Sequence, residues 1–150
     1  MMKVLVFNKQ SDLTIRVASV RPIVKEVLKN EHLLTDEVAI YFVSSEEISQ
    51  LHQEFFNDPS PTDCISFPLD GKQEKNAGYH VLGEVFVCPK TAIDYLGTSD
   101  AHSETTLYLV HGLLHLVGYK DIEEEDLKTI RKAEERHMQA LANKNLLLKS

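Results

Sequence analysis

The sequence predicts a single α/β (α+β) domain, a mixed sheet of about four strands with helices packed on it. Three observations carry that prediction. Four short runs rich in β-branched and aromatic residues alternate with runs whose apolar residues recur at helical spacing. No repeat, low-complexity tract or linker rich in Gly, Pro or Ser divides the 150 residues, so residues 1–150 read as one domain. A composition of 43% apolar and 26% charged residues is globular, with enough chain to enclose a core.

The elements follow in order. Lys3–Asn8 (KVLVFN) reads as the first strand. Val20, Ile23, Val24, Val27 and Leu28 form the buried stripe of a first helix, with Pro22 tolerated only in its opening turn. Arg21, Lys25 and Lys29 repeat every four residues along that helix and read as a solvated face. Residues 37–43 (EVAIYFV) read as the second strand, and Ser44 or Ser45 caps a helix carrying Ile48, Leu51 and Phe55. Residues 57–61 (NDPSP) break the chain before a strand at 62–67. Residues 70–80 are polar with two glycines and read as a mobile loop. Residues 82–88 (LGEVFVC) make the fourth strand, and Pro89 opens a helix through Leu96. A further helix starts near Ser99 or Ser103 and runs to Val117, where Gly118 suits the position just past a helix end. The acids at 123–126 suit the first turn of a final helix, where they complement its dipole.

Composition also excludes functions. The formal charge is −7, and residues 51–100 hold eight acids against three lysines and no arginine. That rules out gripping nucleic acid by bulk charge, though not through a local groove. No run approaches the roughly 18 apolar residues of a membrane span, and the short apolar start MMKVLVF lacks the length of a secretion signal. Cys64 and Cys88 show no metal-binding spacing and read as reduced, buried thiols. A cytoplasmic protein is expected. His52, His80, His102 and His137 have no partner at ligand spacing and are expected at the surface.

The chemistry concentrates in HGLLHLVGYKD, residues 111–121. His111 and His115 lie one helical turn apart, so both imidazoles can meet one ion. Gly118 then turns the chain, and Asp121 follows six residues after the second histidine. Metzincin proteases use this spacing to return a third ligand to the metal. Two imidazoles and a carboxylate suit zinc, or another divalent transition metal, and leave a position open. Asp121 has a second reading, as a cap for the final helix. Zinc proteases of the H-E-x-x-H type keep a glutamate beside the first histidine as general base. Here that residue is Gly112, which disfavours peptide hydrolysis.

HGLLHLVGY resembles the H-G-x-L-H-L-x-G-Y-D-H signature of the YbeY-type metalloproteins, small bacterial endoribonucleases of ribosomal RNA maturation. PTDCISFP at 61–68 resembles their P-T-D-V-L-S-F-P, and LGEVFVCP at 82–89 their L-G-D-I-V-I-C-P. The resemblance implies one metal ion held by His111, His115 and residue 121, where the family has histidine and this chain has Asp121. It implies a catalytic role for His111 and places Asp63 and Ser66 beside the metal cleft. The family's arginine shortly before the P-T-D block corresponds to Phe56 here.

The function so implied is metal-dependent cleavage of single-stranded RNA in ribosomal RNA maturation, with ribosomal RNA, ribosomal proteins and assembly GTPases as partners. Two alternatives stand beside it: a non-catalytic, metal-binding ribosome-assembly factor, and a metallohydrolase of peptides or small molecules.

Overall fold

A computed structural model describes residues 2–71 and 78–150. The mobile loop expected at 70–80 falls largely on residues 72–77, outside the described residues.

The elements are β1 (Lys3–Asn8), α1 (Val20–Asn30), β2 (Glu37–Phe42), α2 (Ser45–Phe56), β3 (Cys64–Pro68), β4 (Val81–Val87), α3 (Pro89–Leu96), α4 (Ala101–Val117) and α5 (Glu124–Asn143). The four strands lie in the order β1-β2-β4-β3. The first three run parallel and β3 runs antiparallel to β4, with Cys64 opposite Val87 and Ser66 opposite Val85. The sheet is therefore mixed, as the sequence predicts.

Alternation along the strands sets two unequal faces. Val38, Ile40 and Phe42 of β2 join Val85 and Val87 of β4 in the main core, packed with the stripes of α1 and α4. The opposite face holds a smaller cluster of Val43, Ile48, Ile65 and Cys88, covered in part by α2. On that face Phe7, Tyr41 and Phe86 stack across three strands, at 4.8 and 4.4 Å between ring centroids.

Helix α4 is buried nearly all round, with Leu109, Leu113 and Leu114 fully enclosed. Its closest approach to the sheet is at Gly112. A Cβ there would meet a Val85 methyl at 2.5 Å and the Ser66 hydroxyl at 3.1 Å. The absence of a glutamate beside His111 thus has a steric cause. Gly112→Ala is expected to lower stability by about 1–3 kcal/mol, the usual cost of overpacking. Urea denaturation with an unchanged midpoint would contradict this.

Ser44 is the cap of α2, its hydroxyl accepting the Glu47 amide at 3.1 Å. Helix α4 ends at Gly118 (φ 121°), with the Tyr119 amide bonded back to the Leu114 carbonyl at 3.0 Å. Helix α5 is capped by Glu123 and Asp126 in a reciprocal capping box, so Asp121 is not its cap.

Two of the four histidines expected at the surface are buried. His80 is 6% exposed because both ring nitrogens are satisfied, Nδ1 by the Thr35 hydroxyl at 2.7 Å and Nε2 by the Gly71 carbonyl at 2.9 Å. His137 is 1% exposed, with Nε2 on the Glu31 carboxylate at 2.6 Å. Thr35 and Glu31 lie 45 and 106 residues away and the Gly71 partner is a backbone carbonyl, so ligand spacing carried no sign of them. Cys64 and Cys88 are free thiols. Among the described residues no helix is long and apolar enough to cross a membrane.

Candidate metal centre

The last turns of α4 present His111 and His115 on the face turned toward β3, and the Gly118 turn swings Asp121 back over them. The three side chains offer ligand atoms that all lie within 4.8 Å of one another. Nε2 of His115 is 3.0 Å from Nε2 of His111 and 3.3 Å from Oδ2 of Asp121, and His111 Nε2 is 4.0 Å from the same oxygen. Ligand atoms about 2.0–2.1 Å from a tetrahedral ion stand roughly 3.4 Å apart, so these separations bracket a zinc-sized site.

Hydrogen bonding to the far side of each ring sets its tautomer. Nδ1 of His115 faces the Tyr119 carbonyl at 2.9 Å, and a carbonyl only accepts, so this nitrogen carries the proton. Nδ1 of His111 donates to the Glu134 carboxylate at 2.5 Å. Both Nε2 atoms of the neutral rings are therefore lone pairs, and both face an acidic side chain. With both rings neutral, three acceptors converge, and a cation or a proton then has to lie between them. The donor set and its outer hydrogen bonds fit a divalent metal.

Electrostatics agrees. Burial by itself would depress the His111 pKa, but the hydrogen bond and charge of Glu134, with Asp63 and Asp121 beyond, raise it above the ordinary value. The Cys64 thiol is pushed well up, first by desolvation and then by Asp63, Glu134 and Asp121, so it stays protonated.

The cluster opens into a cleft of about 430 Å³ lined by His52, Phe56, residues Thr62 to Ser66 at the start of β3, Pro68, His111, His115 and Asp121. Asp63 stands on the wall, Oδ1 accepting the Cys64 amide at 2.7 Å. Ser66 also lines the cleft, and its hydroxyl donates to the Gly112 carbonyl at 2.8 Å, tying β3 to α4. Phe56, standing where the resemblance places an arginine, is at the mouth and 56% exposed.

Sequence reasoning missed the supports behind the two histidines. Glu134 on α5 is 5% exposed and meets Arg131 at 3.6 Å besides His111. Tyr119, whose carbonyl holds His115, donates its hydroxyl to Glu31 at 2.9 Å. Glu31 in turn takes Arg136 at 2.8 Å and His137 at 2.6 Å. Burial would raise the Glu31 carboxyl, but the bonds from His137 and Tyr119 and the charge of Arg136 hold it below the usual range. A signal was available: Ile130, Ala133, Glu134, His137 and Leu141 form the buried stripe of α5, and a glutamate and a histidine in an apolar stripe need partners.

Comparison with known proteins covers nearly the whole chain. The family model described as Endoribonuclease YbeY matches residues 5–142. The Endoribonuclease YbeY of Protochlamydia amoebophila is 51% identical over 144 residues, covering 95% of each chain. That of Chlamydia abortus is 41% identical over 152 residues, covering 98% of this chain and 96% of its own. In structure, the chain resembles the solution structure of TM1509 from Thermotoga maritima, with a TM-score of 0.60 at 22% identity, over 94% of this chain and 90% of that one; this likeness speaks to fold alone. The match runs from within β1 to the last turn of α5, across the residues of the histidine pair, the cleft wall and the supports behind them: this chain belongs to the YbeY endoribonuclease family.

Proposed function

We propose that this protein is a metal-dependent endoribonuclease that cuts single-stranded RNA in ribosomal RNA maturation, in the cytoplasm. One observation carries the metal: the Nε2 atoms of two imidazoles and the Asp121 carboxylate converge within 4.8 Å of one another, with the far nitrogen of each ring already bonded. RNA as substrate rests on the family and on the names of the relatives.

His111, His115 and Asp121 hold one zinc-class ion in this reading. When bound, such an ion supplies Lewis acidity at a phosphoryl oxygen and activates water near neutral pH. The chain's own residues do the rest. Glu134 and the Tyr119 carbonyl fix both rings with Nε2 inward. Asp63, anchored through one oxygen, keeps acceptor capacity for a water or a ribose 2′-hydroxyl entering the cleft. Ser66 spends its proton on Gly112 and holds the strand wall at its distance from the helix. An unpaired strand can bend into a cleft on this scale, where a stiff duplex cannot.

A second reading, a metal-binding assembly factor that meets ribosomal proteins or a GTPase without cutting, is favoured by one feature. Among the described residues no lysine or arginine lines the cleft, and a phosphodiester site ordinarily uses such a fork for developing negative charge. Peptide hydrolysis is disfavoured because Gly112 supplies no base. Purified protein is expected to cleave a single-stranded RNA, and to lose that activity with chelator and in His111→Ala. Binding without cleavage would select the assembly-factor reading.

A further inference from the structure

The cleft has the wrong composition to hold RNA by its phosphates. Among the described residues its lining carries two aspartates and no lysine or arginine, and Glu134 lies just behind His111. What the cleft offers a strand, besides the metal cluster, is a pair of rings at its mouth.

Those rings are Phe56, on the last turn of α2, and His52 one turn earlier. Their centroids are 5.6 Å apart and their planes meet at 57°. A tilted pair leaves ring faces open. By contrast the 4.4 Å, 8° stack of Tyr41 on Phe86 uses its inner faces up. Phe56 is 56% exposed. Both rings sit on anchored backbone. Nδ1 of His52 is bonded to the Ser60 carbonyl at 2.8 Å. Asn57 stops the helix in the left-handed conformation (φ 56°), its amide bonded to the Gln53 carbonyl at 3.0 Å.

We propose that Phe56, with His52 as its side wall, is a stacking subsite for an unpaired nucleobase beside the metal cluster. This rests on the reading of the cleft as an RNA site. A planar, uncharged base is the part of a nucleotide that an acidic, aromatic-mouthed cleft can take. Every base has a π-face, so the subsite selects for unpaired strands more than for sequence.

The test uses the full-length protein and a labelled single-stranded hexanucleotide, 2′-O-methylated with phosphorothioate linkages to slow cleavage, read by fluorescence anisotropy. Phe56→Ala and Phe56→Leu are each expected to weaken binding about 5- to 100-fold, the range for loss of one stacked base. Phe56→Trp should bind within about 3-fold of the parent, since the stacking face is retained. A single abasic position moved along the strand should weaken the parent at one place and leave Phe56→Ala unaffected there. Phe56→Leu binding like the parent would overturn the proposal, because apolar contact alone would then suffice. If the variants bind unchanged while the parent cuts RNA and His111→Ala does not, the subsite falls and the ribonuclease reading stands. If the parent neither binds nor cuts, both fall.

Discussion

Protein carrying His111→Ala and His115→Ala together will retain no metal, whereas the parent purified without added metal will hold about one equivalent of a zinc-class ion. The reason is geometric. Two of the three converging ligands are the Nε2 atoms of one helical turn, and the remaining carboxylate cannot hold a transition ion alone. Asp121 is the finer probe. Asparagine at 121 removes the charge and leaves a poor ligand, so affinity by chelator competition should fall beyond the roughly 10- to 100-fold typical of losing an outer partner. The metal-free Asp121→Asn protein should lose no stability through a missing cap, since Glu123 and Asp126 cap α5 without it. Asp121→His should keep the ion, because it restores a three-imidazole set. Equal metal content in the double histidine variant would remove the centre altogether.

Glu134→Ala should weaken metal binding about 10- to 100-fold, although Glu134 touches no metal. Its carboxylate orients His111 and makes the ring more basic. Glutamine should cost less, since its amide oxygen still accepts the Nδ1 proton. The pH profile separates this from general damage. Burial lowers the His111 pKa, but Glu134 and its acidic neighbours raise it overall, above an unfolded value of about 6.5. The proton therefore stabilises the metal-free fold fully below about pH 6.5, and that contribution is lost as pH rises through the raised folded value. Metal and proton compete for the same site, so affinity of the parent should climb over that window and flatten above it. In Glu134→Ala the climb should move to lower pH. A profile identical to the parent's would show that the carboxylate does not act on His111.

The histidine pair was legible because its geometry is local: residues four apart on a helix share a face whatever the rest of the chain does. Asp121 was legible for a related reason, since Gly118 ends the helix and three further residues have little freedom to go elsewhere. Its alternative role as a cap was also local, and only the structure removed it, by placing the capping box at Glu123 and Asp126. The strands and helices followed from periodicity and from the capping and breaking residues between them.

What the sequence by itself determined is the mixed α/β layout, the family, and the grouping of His111, His115 and Asp121 around the end of α4, because each is written in spacings of a few residues or in short contiguous blocks. What only the tertiary structure decided is everything that depends on which distant elements touch. Glu134 reaches His111 across 23 residues, and Glu31 reaches His137 across 106. The absence of a base beside His111 became a steric fact only when Gly112 met Val85 and Ser66. Phe56 became a cleft residue only when α2 was set against β3. Buried polar groups must find partners, but burial is a property of packing. The identity of those partners is therefore fixed by the fold and not by any spacing along the chain.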